Sequence, residues 1–142
     1  MKKLTFALVL TFAVMLLSAN IIAQDGNYYV MTTWKFSVPE DGSNSELNDL
    51  MKEWNEKVVM KNDKIVSEKA FVHRSGADMR DWVFLSEYAS WGDIEAANDM
   101  QNNLVEEGWP NEEDRDKFFD TFWKYVITHS DEILMEKSEL AK

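Results

Sequence analysis

The segment from Tyr28 to Ser37 (YYVMTTWKFS) limits the possible folds more than any other part of the sequence. It is rich in β-branched and aromatic residues, the composition typical of a β-strand. Side chains alternate along a strand, which places Trp34 and Phe36 on one face. Tyr29 and Met31 lie on the other face, so both faces carry apolar residues. The sequence therefore predicts a strand that is covered on both sides.

Three later segments have the apolar periodicity of amphipathic helices. The first follows Ser43, which matches a capping box with Glu46. The second follows Ser90 and ends at Gly108, a residue type common at helix C-termini. The third follows a break at Trp109-Pro110 and carries a broad aromatic stripe. The apolar residues of that stripe are Phe118, Phe119, Phe122, Trp123, Val126 and Ile127.

Two segments between the first and second helices have the composition of strands, Ile65 to Arg74 and Asp81 to Tyr88. The short, turn-rich link between them predicts a hairpin. The last residues, Asp131 to Lys142, fit either a continuing helix or a short edge strand near Ile133 to Glu136, and we favour the strand. The predicted fold class is α+β, ferredoxin-like in the order β-α-β-β-α-α-(β). Its antiparallel sheet carries the helices on one face.

The N-terminal segment has the pattern of a secretory signal peptide. Lys2 and Lys3 precede an uncharged apolar run from Leu4 to Leu17, which is shorter than the roughly 20 apolar residues of a membrane-spanning helix. We therefore expect residues 1–23 to be a leader cleaved after Ala23, and residues 24–142 to form one mature domain. The chain has no Cys, so a lipid anchor is excluded. A periplasmic or secreted protein without a membrane anchor is predicted.

The charge of the chain disfavours several classes of partner. Asp and Glu number 26 against 15 Lys and Arg, for a formal net charge of −11. Removal of the leader would take away Lys2 and Lys3 but no acidic residue, leaving the mature chain more acidic. The electrostatic field of such an acidic chain repels phosphate backbones, so no nucleic-acid partner is expected. Without Cys there is no disulfide framework, and stability must come from the packing of the core.

This order of elements resembles the dimeric α/β-barrel superfamily of ferredoxin-like domains. The resemblance is carried by the aromatic first strand, the hairpin AFVHR and DWVFLSEY, the segment SWGDIEAANDM and the terminal HSDEI. Members of that superfamily pair two sheets across a dimer interface and keep a pocket between each sheet and its helices. They include cofactor-free monooxygenases, haem-degrading enzymes, stress-response proteins and proteins without known activity. The resemblance thus implies a homodimer, and together with the Lys-Lys leader it indicates a small exported bacterial member.

The chain has two His residues, His73 and His129. A zinc site would need both together with carboxylates, and their spacing matches no metal motif, so no metal is predicted. We expect His129 at the end of the third helix, where interaction with the helix dipole is favoured over a role as ligand or base. His73 and Glu87 lie on neighbouring predicted strands. They could form an acid/base couple in a pocket, or an ion pair at a rim or interface, which is the favoured interpretation.

The chain also has six Trp residues, and aromatic rings are typical of pockets for flat apolar ligands. Helical spacing assigns Trp54 and Trp123 to the core. Trp91 and Trp109 lie at the two ends of the second helix, where they could form a lid or pocket mouth, although core or dimer contacts are favoured. The candidate pocket residues are Trp34, His73, Glu87, Trp91, Trp109 and His129.

Sequence motifs of catalysis are missing from the chain. It has no Gly-rich phosphate loop, nucleophile elbow or Ser-His-Asp order. The sequence therefore favours a non-catalytic, cofactor-free domain that binds a small apolar or aromatic ligand or a partner. The resemblance implies an alternative, a cofactor-independent monooxygenase acting on an aromatic or haem-like substrate. A third hypothesis is an envelope stress or inhibitor protein whose acidic surface meets a basic partner.

Overall fold

The computed structural model of the protein describes residues 26–76 and 78–142. The expected leader, residues 1–23, and its cleavage site lie outside the described residues. The strands are β1 Tyr28–Phe36, β2 Ser67–Val72, β3 Asp81–Tyr88 and β4 Val126–Met135. The helices are α1 Asn44–Lys57, α2 Trp91–Gly108 and α3 Glu112–Tyr125, with short 3₁₀ turns at Val59–Lys61 and Ser138–Leu140. In the described part of the chain, none of the helices is long and apolar enough to cross a membrane.

The four strands form one antiparallel sheet in the order β2-β3-β1-β4. β1 is a central strand, paired with β3 on one side and β4 on the other. The described helices pack against one face of the sheet, here called the inner face, which carries Trp34 and Phe36 of β1. The opposite, outer face carries Tyr29 and Met31. The predicted α+β fold, with an antiparallel sheet and helices on one face, is confirmed.

Polar side chains define where the helices begin. Ser43 accepts a hydrogen bond from the backbone N–H of Glu46 at 3.1 Å, and Ser90 accepts one from that of Asp93 at 3.3 Å. Asn111 accepts from the first backbone N–H groups of α3 in the same way. These bonds satisfy N–H groups that have no partner within the helix. The helix starts predicted at Ser43 and Ser90 are confirmed.

The third helix is shorter, and the last strand longer, than the sequence pattern predicts. α3 ends at Tyr125 and β4 begins at Val126, so the expected helical positions Val126 and Ile127 are in a strand. Both are β-branched residues that suit a strand, and β4 pairs with β1 along nearly its whole length. His129 therefore lies within β4, opposite Trp34, and not at the end of a helix. The prediction of a strand near Ile133 is confirmed.

Trp109 belongs to the hydrophobic core and not to a pocket mouth. It is 3% exposed, and its ring centroid lies 4.4 Å from that of Phe118. Its indole N–H donates to the Glu53 carboxylate at 3.0 Å, and the Lys57 ammonium lies 4.3 Å from its ring centroid. The indole thus has a partner for its one polar group while its ring is buried. The buried hydrophobic cluster comprises Phe36, Leu47, Leu50, Val58, Leu104, Trp109, Phe118 and Tyr125.

Candidate functional site

A cavity of about 890 Å³ lies between the inner face of the sheet and the helices. Its volume is within the usual range of small-molecule sites, roughly 300–1,000 Å³. Near its mouth, Met60 is 76% exposed and Trp123 52% exposed, so the cavity is accessible from solvent. Nine aromatic side chains line it: Trp34, Trp54, Trp82, Phe84, Tyr88, Phe118, Phe119, Phe122 and Trp123.

The strand register determines which side chains form the floor of the cavity. Because neighbouring strands are paired residue by residue, the inner face consists of rows that run across the sheet from β2 to β4. The first row is Glu68, Ser86, Val30 and Ile133. The second row is Ala70, Phe84, Thr32 and Asp131. The third row is Val72, Trp82, Trp34 and His129, of which Val72 lies outside the cavity wall. The floor is therefore aromatic in its middle, with polar groups near its two edges.

Glu68 and Ser86 form the polar pair at the β2 edge of the floor. The Ser86 hydroxyl donates to Oε2 of Glu68 at 2.6 Å, and Ser86 is buried. Burial raises the pKa of the Glu68 carboxyl, and the hydrogen bond from Ser86 opposes this rise. The pKa of the neighbouring Tyr88 is also raised, mainly by burial, with the negative charge of Glu68 contributing. This edge thus offers an acceptor carboxyl in apolar surroundings.

Trp34 and His129 form an aromatic pair near the β4 edge. Their ring centroids are 4.3 Å apart with an angle of 22° between the planes, so the rings are stacked. Asp131 lies next to this pair, with Oδ2 3.7 Å from Nε2 of His129 and Oδ1 accepting from the Thr32 hydroxyl at 2.6 Å. The structure therefore brings Trp34 and His129 together in the cavity wall. The sequence named both as candidates but gave no reason to pair them.

The other candidate residues lie outside the cavity wall. Trp109 is in the core, and Trp91 is 60% exposed at the beginning of α2, with its ring edge-to-face against Tyr28 at 5.8 Å. His73 follows the end of β2, and its Nδ1 donates to the backbone carbonyl of Asp78 at 2.8 Å. Glu87 is on the outer face. The structure therefore does not bring these four side chains into one site.

The possible pair of His73 and Glu87 does not form within the chain. In an antiparallel hairpin the end of one strand lies next to the beginning of the other, and Glu87 is near the end of β3. Its partner across the hairpin is Ser67, at the beginning of β2. Glu87 accepts hydrogen bonds from the side chains of Ser67 and Asn27, and these bonds lower the pKa of its carboxyl. The partners of the Glu87 side chain among the described residues therefore include Ser67 and Asn27, and not His73.

No pattern in the sequence indicates Glu68, the half-buried acid of the cavity. An acidic residue in a strand is usually solvated, and its inner position becomes evident only from the register that pairs it with Ser86.

A metal is not indicated by the geometry. Within residues 26–76 and 78–142, no three His, Cys, Asp or Glu side chains converge as a ligand set. The arrangement suits the enclosure of a flat apolar molecule with a polar contact at one edge.

An antiparallel sheet in this order, with helices on one face, is a ferredoxin-like fold, the fold that a solved structure similar to this chain is described as having. The fold implied by the sequence resemblance is confirmed by comparison with solved structures. No protein-family model matches the chain. No curated protein matches it in sequence either.

Three solved structures illustrate the likeness. A NIPSNAP family protein with unknown function from Agrobacterium tumefaciens has a TM-score of 0.56 and 13% identity, covering 80% of this chain and 90% of that chain. A dimeric ferredoxin-like protein from an uncultured marine organism has a TM-score of 0.55 and 10% identity, covering 84% and 95%. A variant of SnoaB, a cofactor-independent oxygenase from Streptomyces nogalater, has a TM-score of 0.54 and 8% identity, covering 82% and 98%. At these identities the likeness shows the fold alone.

Proposed function

We propose that the protein is a homodimeric binding domain that holds a small, flat, apolar or aromatic molecule between its sheet and its helices. The observation that carries this proposal is the cavity of about 890 Å³ with nine aromatic side chains in its wall. Protein interiors are normally close-packed, and rings that face a common space forgo contacts that a collapsed core would make. A flat ligand would supply those contacts.

Binding of a neutral aromatic probe tests this proposal. We expect saturable enhancement of N-phenyl-1-naphthylamine fluorescence by the wild-type protein. Ala70→Phe places a ring on the cavity floor and should weaken binding at least about tenfold, since it competes for ligand volume. The matched control is Asn103→Phe, on an exposed position of α2 outside the cavity wall, which should bind as the wild type does. Absence of saturable binding by the folded wild-type protein would overturn the proposal.

The outer face of the sheet supports the dimer. Tyr29, Met31, Val83 and Leu85 occupy its centre, and the helices of the described chain pack on the other face. Phe71, towards one edge, is 50% exposed. An apolar surface of this kind is typical of an interface. A second copy of the chain would cover it, and one solved structure of this fold is itself described as dimeric.

Sedimentation velocity tests the dimer. The wild-type protein should sediment as a dimer, because pairing of two outer faces removes their apolar side chains from water. Leu85→Glu places a charge at the centre of that face and should yield a folded monomer. Asn103→Glu introduces the same side chain on α2 and should remain dimeric. A wild-type protein that sediments as a monomer at high concentration would exclude this interface.

Glu68 favours a second candidate function, cofactor-independent oxygenation of an electron-rich aromatic substrate. Its raised pKa makes the carboxyl a better base, and it lies in the wall of a cavity suited to aromatic rings. SnoaB, described as a cofactor-independent oxygenase, shares the fold. In such a reaction the substrate itself supplies the electrons that reduce the second oxygen atom to water. Oxygen uptake with a panel of hydroxynaphthalenes, lost in Glu68→Gln, would favour this candidate over simple binding.

We also propose that residues 1–23 direct export. The support is the sequence of Lys2 and Lys3 followed by an apolar run and small Ala23. Expression of the full chain in a bacterial host and mass spectrometry of the periplasmic protein test this. A mature chain that begins at Gln24 is expected. A chain that retains its leader and stays in the cytoplasm would contradict export.

A further inference from the structure

The charged side chains of the cavity wall differ in whether they have an oppositely charged or hydrogen-bonding partner. The wall contains Lys52, Glu56, Glu68 and Asp131. Lys52 and Glu56 pair with each other along α1, with Nζ and Oε1 3.8 Å apart, and both side chains are largely exposed. Their charges therefore offset each other near the mouth. Asp131 accepts from Thr32 and lies beside His129. Glu68 is the remaining acid, half-buried on the floor.

Among the residues that the structure describes, the Glu68 carboxylate has a hydrogen-bond donor but no counter-ion. Ser86 donates to Oε2, and among residues 26–76 and 78–142 no Lys, Arg or His forms an ion pair with Glu68. Lys69, the next residue in β2, points to the outer face, where its charge acts on Glu87. Removal of a carboxylate from water is unfavourable unless a positive charge or several donors compensate it. A ligand cation would provide the missing charge.

Aromatic rings lie next to this carboxylate. Phe84 follows Ser86 on the inner face of β3 in one direction, and Tyr88 follows it in the other. Tyr88 is close enough for the charge of Glu68 to raise its pKa. Ala70, the neighbour of Glu68 on the inner face of β2, is small and leaves the surface of the floor open beside Phe84. Aromatic rings can therefore hold a ligand in two ways. They pack against its apolar ring, and their negative faces attract a positive charge.

We propose that the cavity selects an aromatic molecule that bears a positively charged amine, with the Glu68 carboxylate as the counter-ion of the amine. This inference rests on the proposed function, since it names the ligand class of the same cavity. The net charge of −11 acts in the same direction, because it concentrates cations near the surface and repels anions. The aromatic rings of the wall hold the ring of the ligand, and Glu68 and Ser86 fix its orientation.

Three ligands of nearly the same shape test the charge preference. They are 1-naphthylmethylamine, which is cationic at neutral pH, 1-naphthalenemethanol, which is neutral, and 1-naphthaleneacetate, which is anionic. Calorimetric titration of the wild-type protein at low salt should rank them in that order. We expect the amine to bind at least about tenfold more tightly than the alcohol, since a half-buried ion pair adds to ring contacts that both ligands share. Added salt should narrow this difference.

Two isosteric variants test whether the charge of Glu68 causes the preference for the amine. Glu68→Gln removes the charge but keeps an acceptor for Ser86, and it should bring the affinity for the amine down to that for the alcohol. Glu106→Gln makes the same change at an exposed position of α2 outside the cavity wall and should leave both affinities unchanged. Equal binding of amine and alcohol by the wild-type protein would overturn the role of Glu68 while leaving the binding function intact. Failure of all three ligands and of the neutral probe to bind would instead overturn the proposed function.

Discussion

The hydroxyl of Tyr125 donates a hydrogen bond to the Glu46 carboxylate and accepts one from the backbone N–H of Ser43 at 2.9 Å. Tyr125 is the last residue of α3 and is 1% exposed, whereas both partners belong to the beginning of α1. Burial, followed by the bond to Glu46, raises the pKa of Tyr125. One buried hydroxyl therefore joins the start of the first helix to the end of the third.

Tyr125→Phe should destabilise the protein by about 1–3 kcal/mol, because it leaves the Ser43 N–H and the Glu46 carboxylate without their partner. Urea unfolding followed by circular dichroism measures the change. Tyr28→Phe is the matched control, since the Tyr28 hydroxyl makes no hydrogen bond with the described residues, and it should change stability by less than about 0.5 kcal/mol. Equal losses in the two variants would show that the bonds of Tyr125 do not stabilise the fold.

Gly42→Ala should also be destabilising, by about 1–3 kcal/mol, because of a close approach. A Cβ at Gly42 would overlap the Tyr125 hydroxyl and lie 2.8 Å from Cγ of Pro39. A double-mutant cycle with Tyr125→Phe measures the coupling, and the cost of the alanine should fall when the hydroxyl is absent. Gly92→Ala is the control, since its Cβ would meet Ser90 Oγ at 3.8 Å within α2, and it should stabilise by about 0.5–1 kcal/mol.

Trp109→Phe should cost about 1–3 kcal/mol, because it removes the indole N–H that binds Glu53 and part of a buried ring. The same substitution at the exposed Trp91 should change stability by less than about 0.5 kcal/mol. Thermal unfolding of both variants makes the comparison. Since neither residue lines the cavity, both should still bind the neutral probe. Loss of probe binding in folded Trp91→Phe would assign that ring to the site.

Glu68→Gln should stabilise the protein at neutral pH. The raised pKa of Glu68 means that the folded chain binds its proton more tightly than the unfolded chain does, so the ionised carboxylate is destabilising. This penalty disappears as pH falls through the raised pKa. Glu68→Gln should therefore raise the free energy of unfolding more at about pH 7.5 than at about pH 4. Glu106→Gln, at an exposed position of α2, should show no such difference. Urea unfolding at both pH values measures it.

The element order could be predicted because its signals are local. Ser43 and Ser90 cap their helices through their own side chains, and the aromatic, β-branched composition of β1 is that of a strand. The end of α3 was not predictable from the same signals. Val126 and Ile127 continue the apolar period of a helix but are also good strand residues. Pairing with β1, a contact distant in the sequence, decides between the two.

The site was only partly predictable for a similar reason. Trp34 was recognised by its ring, but its contact with His129 depends on the register of β1 and β4. Glu68 was missed because its face depends on the register of β2 and β3. The same register separates His73 from Glu87 within the chain. The residue types of the cavity are recognisable in the sequence, whereas long-range strand pairing determines which of them meet.

Because α3 passes directly into β4, a change in chain length at this junction would alter which side chains of β4 face the cavity. Tyr125 ends the helix and Val126 begins the strand, with no residue between them. Insertion or deletion of one residue here would turn His129 and Asp131 away from the cavity and bring Ser130 and Glu132 into it. The exposed turn after β2 has no such restriction. We therefore expect changes in length to be better tolerated in the hairpin turn than at the junction of α3 and β4.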